Sequence, residues 1–590
     1  MTDFKNLSHL RTNVFQDRRL AKSNLRTVIG LDTETDKGDI FLIADSKGRF
    51  LDKITPKSCL KFLFSKRYQG SWNFFYNLSY DAEVILKLLA EKLNIYKKTR
   101  KLKFRFEDYK IDYIPNKKLA IRKGHHSSVF FDIAQFYHAS LVNAYQENIK
   151  KLDPQYLQMK EKRKSFSQRF YRSNRKLIRD YCINDCKLTK ELAIHWINLF
   201  NDAFGFYPAR WISSGYLAEK VLINNKIEIP KFNTVPYEIQ DLAFRCYFGG
   251  RFEILKRGFI GKAYLYDVNS AYPFALTRFP DITKGRWIKR KTIHPDAKLG
   301  FFRILADVPD CKHVPPFPFR TNDRIIFPSG KFETYVTLTE LESCEINYCK
   351  VLESYQFIPE TDYHPFKEFI KNLYQKRLEL KQNGSPLQLP LKIILNSIYG
   401  KTGQNVNGKI GNLFNPILFA FITGYTRAQL YQFVQEHGIK REIVSFATDS
   451  ICCTKKLNLN SSKIGEFSLD NEADDVFILQ NGFYRFNEKW KQRGLGHLGS
   501  KEIEHLETFE KDGRLFYRFK VLRSNRLRSS ILQDSISEIG KFKEYVREVN
   551  LNADRKRMWF EELRNINDEI MINSMPISLN YFKKVMIRYC

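Results

Sequence analysis

Three short stretches, which occur in a fixed order, constrain the fold of this chain more than any other feature. They read Asp267-Val-Asn-Ser-Ala-Tyr-Pro273, Lys392-Ile-Ile-Leu-Asn-Ser-Ile-Tyr-Gly400 and Ala447-Thr-Asp-Ser450. The first and third each place a carboxylate beside an apolar run that is typical of a strand. In the second, Lys392, Asn396 and Tyr399 have the i, i+4, i+7 spacing of one helical face. Two acidic strand ends and one basic, polar helix are the groups that two-metal nucleotidyl transfer requires.

The two acidic stretches predict a magnesium site. Carboxylates at the ends of adjacent strands can bridge two Mg²⁺ ions about 3.5–4 Å apart, and Mg²⁺ needs few carboxylates when substrate phosphates complete its shell. We expect Asp267 and Asp449 to be the ligands, with Val268 among the metal and dNTP contacts. Each acid taken alone more often caps a strand, so the prediction depends on the ordered set. We expect Lys392 to bind the phosphates, together with Arg377 and Lys381 on the preceding basic helix 366–381.

These stretches resemble motifs A, B and C of family B DNA polymerases. The resemblance implies that Asp267 and Asp449 bind the catalytic metals and that Tyr272 is the gate that selects the sugar. It also implies that Lys392, Asn396 and Tyr399 bind the dNTP, with Gly400 allowing DNA to approach the backbone. One departure concerns the third motif, which in the family usually reads Asp-Thr-Asp. Here Ala447 replaces the first acid, so activity is expected while the metal preference stays open.

A second group of acids lies in the first 190 residues. Asp32 and Glu34 follow the apolar run 28–31, Asp81 lies in a Tyr-Asn-Leu-Ser-Tyr-Asp segment, and Tyr181 and Asp185 are one helical turn apart. Four acids can hold two metals around a phosphate, although each pattern alone is common by chance. Their order resembles ExoI, ExoII and ExoIII of the DEDDy 3′–5′ exonuclease domain. The resemblance implies that Tyr181 orients the attacking water and that Asn77 contacts the frayed 3′ end.

The expected fold class is therefore a multidomain α/β protein, in which an RNase H-like exonuclease domain precedes a right-hand polymerase. The expected domains are the exonuclease (1–205), first part of the palm (206–289), a TPR1-like insertion (290–362), fingers (363–405), second part of the palm (406–505) and thumb (506–590). The thumb is assigned by position, and its 85 residues are expected to be helical and basic.

Other segments indicate the branch of the family and the path of the DNA. Tyr247-Phe-Gly-Gly-Arg251 resembles the Tyr-x-Gly-Gly motif that couples editing to synthesis, which makes Tyr247, Gly249, Gly250 and Arg251 expected DNA contacts. The motif is frequent in protein-primed members, and the long interval from Asp267 to Lys392 leaves room for their first insertion. The interval from Lys392 to Asp449 is short for the second one. Expected primer contacts after motif C are Tyr484, Lys491 and Arg493, since Gly482 occupies the usual lysine position.

Composition agrees with a nucleic-acid partner. Lys and Arg number 98 against 65 Asp and Glu, the formal net charge is +33, and aromatic residues make up 15%. Basic surface together with stacking side chains suits nucleic acid. The ten cysteines form neither an even disulfide framework nor a paired zinc motif, which favours reducing cytosol, the host's if the protein is viral. Neither a secretory signal nor a membrane-spanning run is found.

The expected reaction is DNA-directed DNA synthesis with 3′–5′ proofreading, with two Mg²⁺ per active site and Mn²⁺ as a substitute. The expected partners are primer-template DNA, dNTPs and a terminal protein that acts as primer, and the protein is expected to be a monomer. Three modes of initiation stay open: a terminal protein, an ordinary 3′-hydroxyl primer or de novo synthesis. Two other classes are weighed: a nuclease with a decayed polymerase half, favoured by Ala447, and a basic DNA-packaging protein, which would bind DNA without metal dependence.

Overall fold

The structure is a computed structural model of the chain. It describes residue 7, residue 20 and residues 22–163, 166–344, 348–406, 409–493, 498, 503, 506–512, 514–564 and 569–580. Parts of the expected 1–205, 290–362, 406–505 and 506–590 domains therefore lie outside the described residues. None of the helices in the described ranges combines the length and the apolarity that crossing a bilayer requires.

Elements are numbered in chain order, beginning with the N-terminal third. Its strands are β1 (Lys22–Ser23), β2 (Val28–Asp36), β3 (Asp39–Asp45), β4 (Phe50–Leu51), β5 (Trp72–Phe75), β6 (Leu102–Phe106), β7 (Tyr109–Ile114), β8 (Lys118–Lys123) and β9 (His126–Asp132). Its helices are α1 (Pro56–Leu63), α2 (Leu78–Lys87), α3 (Ala90–Leu93), α4 (Ile95–Thr99), α5 (Leu141–Asn148), α6 (Pro154–Lys162), α7 (Gln168–Ser173) and α8 (Arg175–Phe204).

The middle of the chain alternates strands and helices. Its strands are β10 (Tyr207–Pro208), β11 (Arg251–Ile254), β12 (Lys256–Val268), β13 (Gly285–Lys289), β14 (Leu299–Val308), β15 (Phe319–Arg320), β16 (Ile325–Ile326), β17 (Gly330–Thr337), β18 (Cys349–Pro359), β19 (Asn405–Val406) and β20 (Lys409–Ile410). Its helices are α9 (Ser214–Asn224), α10 (Tyr237–Arg245), α11 (Ala271–Thr277), α12 (Leu338–Glu342), α13 (Lys367–Gln382), α14 (Gln388–Thr402) and α15 (Pro416–Glu436).

The last part of the chain consists mainly of strands. They are β21 (Ile443–Thr448), β22 (Ser450–Cys453), β23 (Phe467–Gln480), β24 (Phe483–Phe486), β25 (Lys489–Gln492), β26 (Glu507–Lys511), β27 (Arg514–Ser524), β28 (Phe542–Asn550), β29 (Arg557–Trp559) and β30 (Met571–Pro576). One helix of this part, α16 (Leu527–Leu532), lies between β27 and β28.

Three larger sheets organise these elements. The N-terminal sheet has the order β4-β3-β2-β5-β9-β8-β7-β6, and β2, β5 and β9 run parallel at its centre. A central sheet has the order β11-β21-β22-β12-β23-β24-β25, with β30 also pairing with β12. Between its first and later strands the chain forms a four-stranded sheet of order β13-β18-β14-β17, which spans residues 285–359. Between α14 and α15 the described residues form only the short pair β19–β20.

A glycine sets how closely the long helix α8 approaches the N-terminal sheet. A Cβ added to Gly30 in β2 would lie 2.0 Å from the Cys186 carbonyl oxygen and 2.7 Å from the Lys190 nitrogen. Only a residue without a Cβ permits this contact between a strand and a helix backbone. The acids that β2 and α8 carry are therefore held at short range from each other.

The prediction of a helical C-terminal region is wrong. Strand β27 buries Tyr517 and Phe519, which alternate with polar residues, and this period of two is the signature of a strand. The order β26-β27-β28 makes a three-stranded sheet. The last two strands do not belong to this sheet. Strand β29 pairs with β30, and β30 pairs with β12 of the central sheet. Residues 506–580 thus contribute to two sheets and do not form one unit.

The C-terminal region also packs on the N-terminal sheet. Leu527 and Ile531 of α16 share a hydrophobic core with the helix α2, and Glu83 of α2 accepts a 3.1 Å hydrogen bond from the Leu527 nitrogen. A Cβ on Gly38 would lie 2.5 Å from the Ile539 carbonyl oxygen, so two backbones touch at this point. The N-terminal and C-terminal regions are therefore in direct contact.

A buried ion triad ties β29 to the central sheet. Glu253 in β11 accepts hydrogen bonds from Arg251 (2.7 Å to Nη2) and from Arg557 of β29 (2.9 Å to Nη1). All three side chains are almost fully buried. Two guanidinium groups hold the pKa of Glu253 below its usual value, against the opposing effect of burial. Removing one partner would leave a charge without compensation inside the protein.

We expect Glu253→Gln to destabilise the protein by about 3–5 kcal/mol, because it leaves two arginines buried without a counter-charge. The midpoint of thermal unfolding, measured by calorimetry, should fall clearly. The matched control is Glu333→Gln, which breaks the half-exposed pair with Arg303 (2.7 Å) and should cost only about 0–1 kcal/mol. Equal midpoints for the two variants would contradict a structural role for the triad. Because the folded-state pKa of Glu253 is lowered, its contribution should be present near neutral pH and be lost on acidification.

Candidate active sites

The first candidate site lies where β12 and β22 meet. Asp267 of β12 is opposite Ser450 of β22, and the Val268 nitrogen donates a 3.0 Å hydrogen bond to the Asp449 carbonyl oxygen. Asp449 lies in the tight turn between β21 and β22, where Thr448 has a positive φ of 72°. Such a backbone conformation is costly for a β-branched residue, and it persists only where surrounding structure imposes it. The turn thus brings the two predicted metal ligands to neighbouring strands.

Burial of both acids, with added repulsion at Asp267, makes them a candidate cation site. Burial raises the pKa of Asp267 to about 7, and the charges of Asp449 and Asp470 add to this effect. Burial also raises the pKa of Asp449. Asp470, on the adjacent strand β23, is an acid that sequence reasoning missed. Its signal in the sequence is weak, because it lies among other acids of a polar strand and belongs to none of the three stretches.

One face of the central sheet encloses a cavity of about 490 Å³. Alternate residues of its strands line the cavity, as expected for one face of a pleated sheet. Among them are Asp267, Asp470 and Ala447, so the alanine that replaces the family's acid faces the same space. The predicted primer contacts Tyr484, Lys491 and Arg493 also line it. The Lys491 ammonium lies 5.8 Å from the centre of the Tyr484 ring, and the two residues are cross-strand partners in β24 and β25.

Three tyrosines join α14 to this site. The rings of Tyr272 and Tyr399 have centroids 4.4 Å apart, and the hydroxyl groups of Tyr247 and Tyr399 are 3.3 Å apart. A Cβ on Gly250 would lie 3.1 Å from the Tyr272 hydroxyl and 2.7 Å from the Thr448 side chain. The glycine therefore lets the loop 247–250 pack against the Asp449 turn. Gly249, whose φ of 76° lies in the left-handed region, supplies the turn itself.

The polar face of α14 is open to solvent. Lys392 and Asn396 are exposed, Tyr399 is half-buried, and a Cβ added to Gly400 would meet no atom of the described residues within 4 Å. On the neighbouring helix α13, Lys381 is exposed. Both predicted helices are confirmed, and Lys392, Asn396 and Tyr399 lie on one face of α14 as predicted. On α13, Arg377 has a buried Nε that finds no hydrogen-bond acceptor in the described part of the chain.

Arg251 does not fit the predicted role of a DNA contact. Its guanidinium is buried between the rings of Phe327 (4.0 Å) and Phe446 (4.4 Å) and is bound to Glu253. Nη1 donates to the Pro315 carbonyl oxygen at 3.0 Å. The side chain is a structural member of the ion triad, so it cannot reach a nucleic acid without unfolding that core.

The second candidate site lies between β2, α2 and α8. Asp32 and Glu34 come from β2, Asp81 from the first turn of α2, and Asp185 from α8. The Thr33 hydroxyl donates a 2.6 Å hydrogen bond to Asp81, and the Tyr181 hydroxyl donates a 3.2 Å bond to Asp185. The four predicted acids and Tyr181 are thus brought together.

The exposed Asn77 precedes α2 in a left-handed conformation with a φ of 64°. Its backbone nitrogen donates to the buried Asp132 carboxylate at 3.0 Å. This bond fixes the turn that carries Asn77, which follows β5, the strand beside β2.

Burial makes this acidic group costly. It raises the pKa of Asp32 well above its usual value, with the charges of Asp185 and Asp81 adding to the effect. Burial also raises the pKa of Glu34 and of Asp81 to about 7 each. Burial followed by the charge of Asp185 raises the pKa of Tyr181, so the phenol stays protonated.

Three side chains from α6 and its end complete the site, and sequence reasoning missed them. The Lys160 ammonium lies 2.6 Å from Asp185, whose other oxygen accepts a 2.5 Å hydrogen bond from the Tyr156 hydroxyl. The Arg163 Nε lies 3.8 Å from Glu34. The basic run 150–179 was the available signal, but its periodicity does not show which cations turn toward the acids.

The donor set of this second site fits divalent cations. Asp32 Oδ2 and Glu34 Oε1 are buried, and neither has a hydrogen-bond partner within the described ranges. Buried carboxylate oxygens without partners are rare unless a ligand satisfies them. Hard carboxylate oxygens are what Mg²⁺ and Mn²⁺ prefer.

Comparison with known proteins gives a family match over the middle of the chain. A family model described as DNA polymerase type B, organellar and viral, matches residues 67–412. A DNA polymerase of Acidianus bottle-shaped virus (isolate Italy/Pozzuoli) is 26% identical over 420 residues, which cover 65% of this chain and 62% of the relative. A probable DNA polymerase of Neurospora intermedia is 30% identical over 181 residues, which cover 28% of this chain and 18% of the relative. The chain thus spans less than two thirds of either relative's length.

The fold is similar to that of Phi29 DNA polymerase. Its ternary complex with primer-template DNA and incoming nucleotide has a TM-score of 0.59 at 13% identity, covering 90% of this chain and 99% of that one. Its binary complex with primer-template DNA has a TM-score of 0.57 at 14% identity, covering 89% and 100%. The expected multidomain α/β fold class is confirmed.

We expect Asp267→Asn to raise the thermal midpoint of the metal-free protein at pH 8. The raised folded-state pKa of Asp267 means that the folded protein disfavours its charged form, so stability is lost as pH rises from the unfolded value of 3.8 to about 7. The difference between variant and wild type should therefore grow over this range and level off above it. Calorimetry in EDTA measures it, with the exposed Asp474→Asn as control. Adding Mg²⁺ should stabilise the wild type more than the variant; a variant less stable in EDTA would refute the repulsion.

Proposed function

Because this chain belongs to the organellar and viral type B DNA polymerases, we propose that it is a DNA-directed DNA polymerase with a 3′–5′ proofreading exonuclease. The observation that carries the proposal is the meeting of Asp267 and Asp449 on neighbouring strands beside the Tyr272–Tyr399 ring contact. That contact joins an acidic strand end to the helix face of Lys392 and Asn396. The proposed metal-binding edge and the proposed triphosphate-binding helix are therefore neighbours.

Nucleotide binding follows from the two helices. Lys392, with Arg377 and Lys381 on α13, would bind the triphosphate, and the unpaired Nε of Arg377 within the described ranges supports this role. Asn396 lies one turn from Lys392 on the same exposed face. Tyr399 would stack on the nascent base pair, while Tyr272, against its ring, would lie under the sugar and exclude a 2′-hydroxyl. Val268, next to Asp267, would present its backbone to the same nucleotide.

Two Mg²⁺ ions, or Mn²⁺ in their place, held by Asp267, Asp449 and the nearby Asp470 would activate the primer 3′-hydroxyl and neutralise the leaving pyrophosphate. The protein's own part is to hold these carboxylates close together. Asp267 and Asp449 would have to be ionised to hold a cation, so metal binding would be coupled to the loss of any proton that they carry. Ala447 leaves room in the cavity where the family's additional acid would be.

Editing would occur at Asp32, Glu34, Asp81 and Asp185. These acids would hold the cations that bind the scissile phosphate, and Tyr181, kept protonated, would orient the attacking water. Lys160, in contact with Asp185, is positioned to balance charge beside the phosphate. Asn77 would contact the displaced 3′ end.

DNA binding is supported by charge and by the cavity lining. The net charge of +33 favours a polyanion. Tyr484, Lys491 and Arg493 line the cavity of Asp267 and would contact the primer strand. Tyr247, Gly249 and Gly250 lie between the Asp449 turn and α14, so their loop would follow the template-primer duplex.

Initiation on a terminal protein is the mode we propose, with replication of a linear viral or plasmid genome in the host cytoplasm by a monomer. The viral relative and the fold of Phi29 DNA polymerase support it. The four-stranded sheet of residues 285–359 supports the proposal of a first insertion at 290–362. We propose the exonuclease at 1–205, palm at 206–289 and 406–505 joined by β30, and fingers at 363–405, while the C-terminal thumb is limited to the sheet β26–β28 and α16.

The two activities should separate in two variants. We expect Asp449→Asn to abolish Mg²⁺-dependent primer extension and keep 3′ degradation, because it removes a ligand of only one site. Asp32→Ala should abolish degradation and keep extension. Each loss is expected to be about a thousandfold or more, the scale of removing charge stabilisation from a transition state. Gel assays on a labelled primer-template measure both.

Extension that persists in Asp449→Asn would refute the polymerase assignment. Loss of both activities in Asp32→Ala, with an unchanged thermal midpoint, would refute the assignment of two separate sites. The exposed Asp474→Asn, on the same sheet as Asp470, serves as the matched charge control and should retain both activities.

Protein priming predicts a covalent product. With a terminal protein encoded beside this polymerase, a labelled dNTP and Mn²⁺ or Mg²⁺, we expect a dNMP attached to a Ser, Thr or Tyr hydroxyl of that protein, with release of pyrophosphate. Gel electrophoresis after nuclease treatment detects it. Efficient extension of an ordinary DNA primer without any labelled protein would favour conventional initiation, and labelled product with neither primer nor protein would favour de novo initiation.

A further inference from the structure

A cysteine thiol lies within the acidic site of the N-terminal sheet. Cys182 is on α8, directly after Tyr181, and its side chain is fully buried. Its Sγ and one carboxylate oxygen each of Asp32 and Glu34 all lie within 4.8 Å of one another. In the described part of the chain, no other three His, Cys, Asp or Glu side chains meet that criterion.

The carboxylates beside this thiol have buried oxygens without hydrogen-bond partners among the described residues. Glu34 is 2% exposed, and its Oε1 finds no hydrogen-bond partner among the described residues. The same holds for the buried Asp32 Oδ2. The thiol itself makes a long contact, 3.8 Å from Sγ to the Asp32 carbonyl oxygen. The thiol also interacts with the Cys186 thiol, one turn along α8. Two oxygens without partners in the described ranges and one thiol therefore surround one small volume.

We propose that Asp32, Glu34 and Cys182 form a binding site for thiophilic divalent cations of the zinc and cadmium class. This proposal rests on the proposed editing function only because the two sites share the carboxylates of Asp32 and Glu34. Zinc takes mixed sulfur and oxygen ligands in compact sites, whereas Mg²⁺ takes oxygen alone. A thiophilic cation would displace Mg²⁺ from these acids and would stop editing, while synthesis at Asp267 and Asp449 continues.

The binding step is a proton exchange. The thiol S–H bond breaks as a sulfur–metal bond forms, the sulfur keeps the electron pair, and the thiol proton leaves to solvent together with any proton that the two carboxyl groups carry. The two carboxylates and the thiolate then carry three negative charges against the cation's two, and Arg163, 3.8 Å from Glu34, is placed to balance the remainder.

Cysteine 186 provides a matched control. It is one helical turn further along α8, is as fully buried, and its Sγ contacts the Ala44 carbonyl oxygen at 3.3 Å; it does not belong to the group of donor atoms that Asp32, Glu34 and Cys182 form. Substitution of either cysteine by alanine removes one buried sulfur from the same helix. A difference between the two variants therefore reports proximity to Asp32 and Glu34, not a general loss of packing.

The test is a titration of the full-length, metal-free protein with Cd²⁺, followed by the ultraviolet charge-transfer absorption of cadmium thiolate. We expect Cys182→Ala and Asp32→Asn each to weaken the tightest binding step by roughly tenfold or more, as losses around a metal typically do. Cys186→Ala should bind as the wild type does, and Cys311, exposed elsewhere, adds the same background to all four proteins. A wild-type signal in Cys182→Ala, an equal loss in Cys186→Ala, or unchanged binding in Asp32→Asn would each overturn the proposal.

A second readout separates this proposal from the proposed editing activity. In Mg²⁺, added Zn²⁺ should inhibit 3′ degradation by the wild type at a concentration roughly tenfold below that needed for Cys182→Ala. Primer extension should show no such difference. Cadmium binding without any 3′ degradation in Mg²⁺ would refute the editing activity and leave the thiolate site standing. Degradation with equal Zn²⁺ sensitivity in both proteins would refute the thiolate site alone.

Discussion

The unfavourable burial of carboxylates side by side is the constraint on which the rest of this structure depends. Charges in a poorly solvated site interact far more strongly than in water, so such acids remain together only if the scaffold leaves them no alternative. Gly30 supplies that constraint at one site, because it brings the backbone of α8 against β2. The strained turn at Thr448 supplies it at the other. Each device sacrifices local stability for a preorganised cation site.

The two sites compensate their charge differently. The site of Asp32 has cations of its own, since Lys160 and Arg163 reach the acids from α6 and its end. The site of Asp267 has none in contact within the described ranges. Its cations, on α13 and α14, face a separate polar surface suited to an incoming triphosphate. The first arrangement suits a site that takes a strand end carrying a single scissile phosphate, and the second suits one that takes a substrate carrying several charges.

The sequence predicted what local spacing encodes. Periodicity and motif order predicted the strand before Asp267, the helix that carries Lys392 and Tyr399, and the proximity of Tyr181 to Asp185. Contacts between distant segments could not be read in this way. Asp470 reaches the site through strand pairing, Lys160 through the packing of α6, and Arg251 was misassigned because a motif position does not reveal burial. The prediction for the C-terminal region was wrong for another reason. Charged residues that favour helices masked the alternation of buried and exposed residues in β27.

The return of β30 to β12 has a consequence for biosynthesis. Strand β12 lies in the middle of the chain, yet Lys256–Gly258 find their partners at residues 571–573. During translation this stretch of β12 therefore keeps an unpaired edge, and Glu253 lacks Arg557, until residues 557–573 have left the ribosome. An open edge of this kind is prone to pairing with other chains. Premature termination or slow elongation between residues 258 and 571 should thus promote aggregation, and prompt synthesis of this interval becomes part of how this protein reaches its native state.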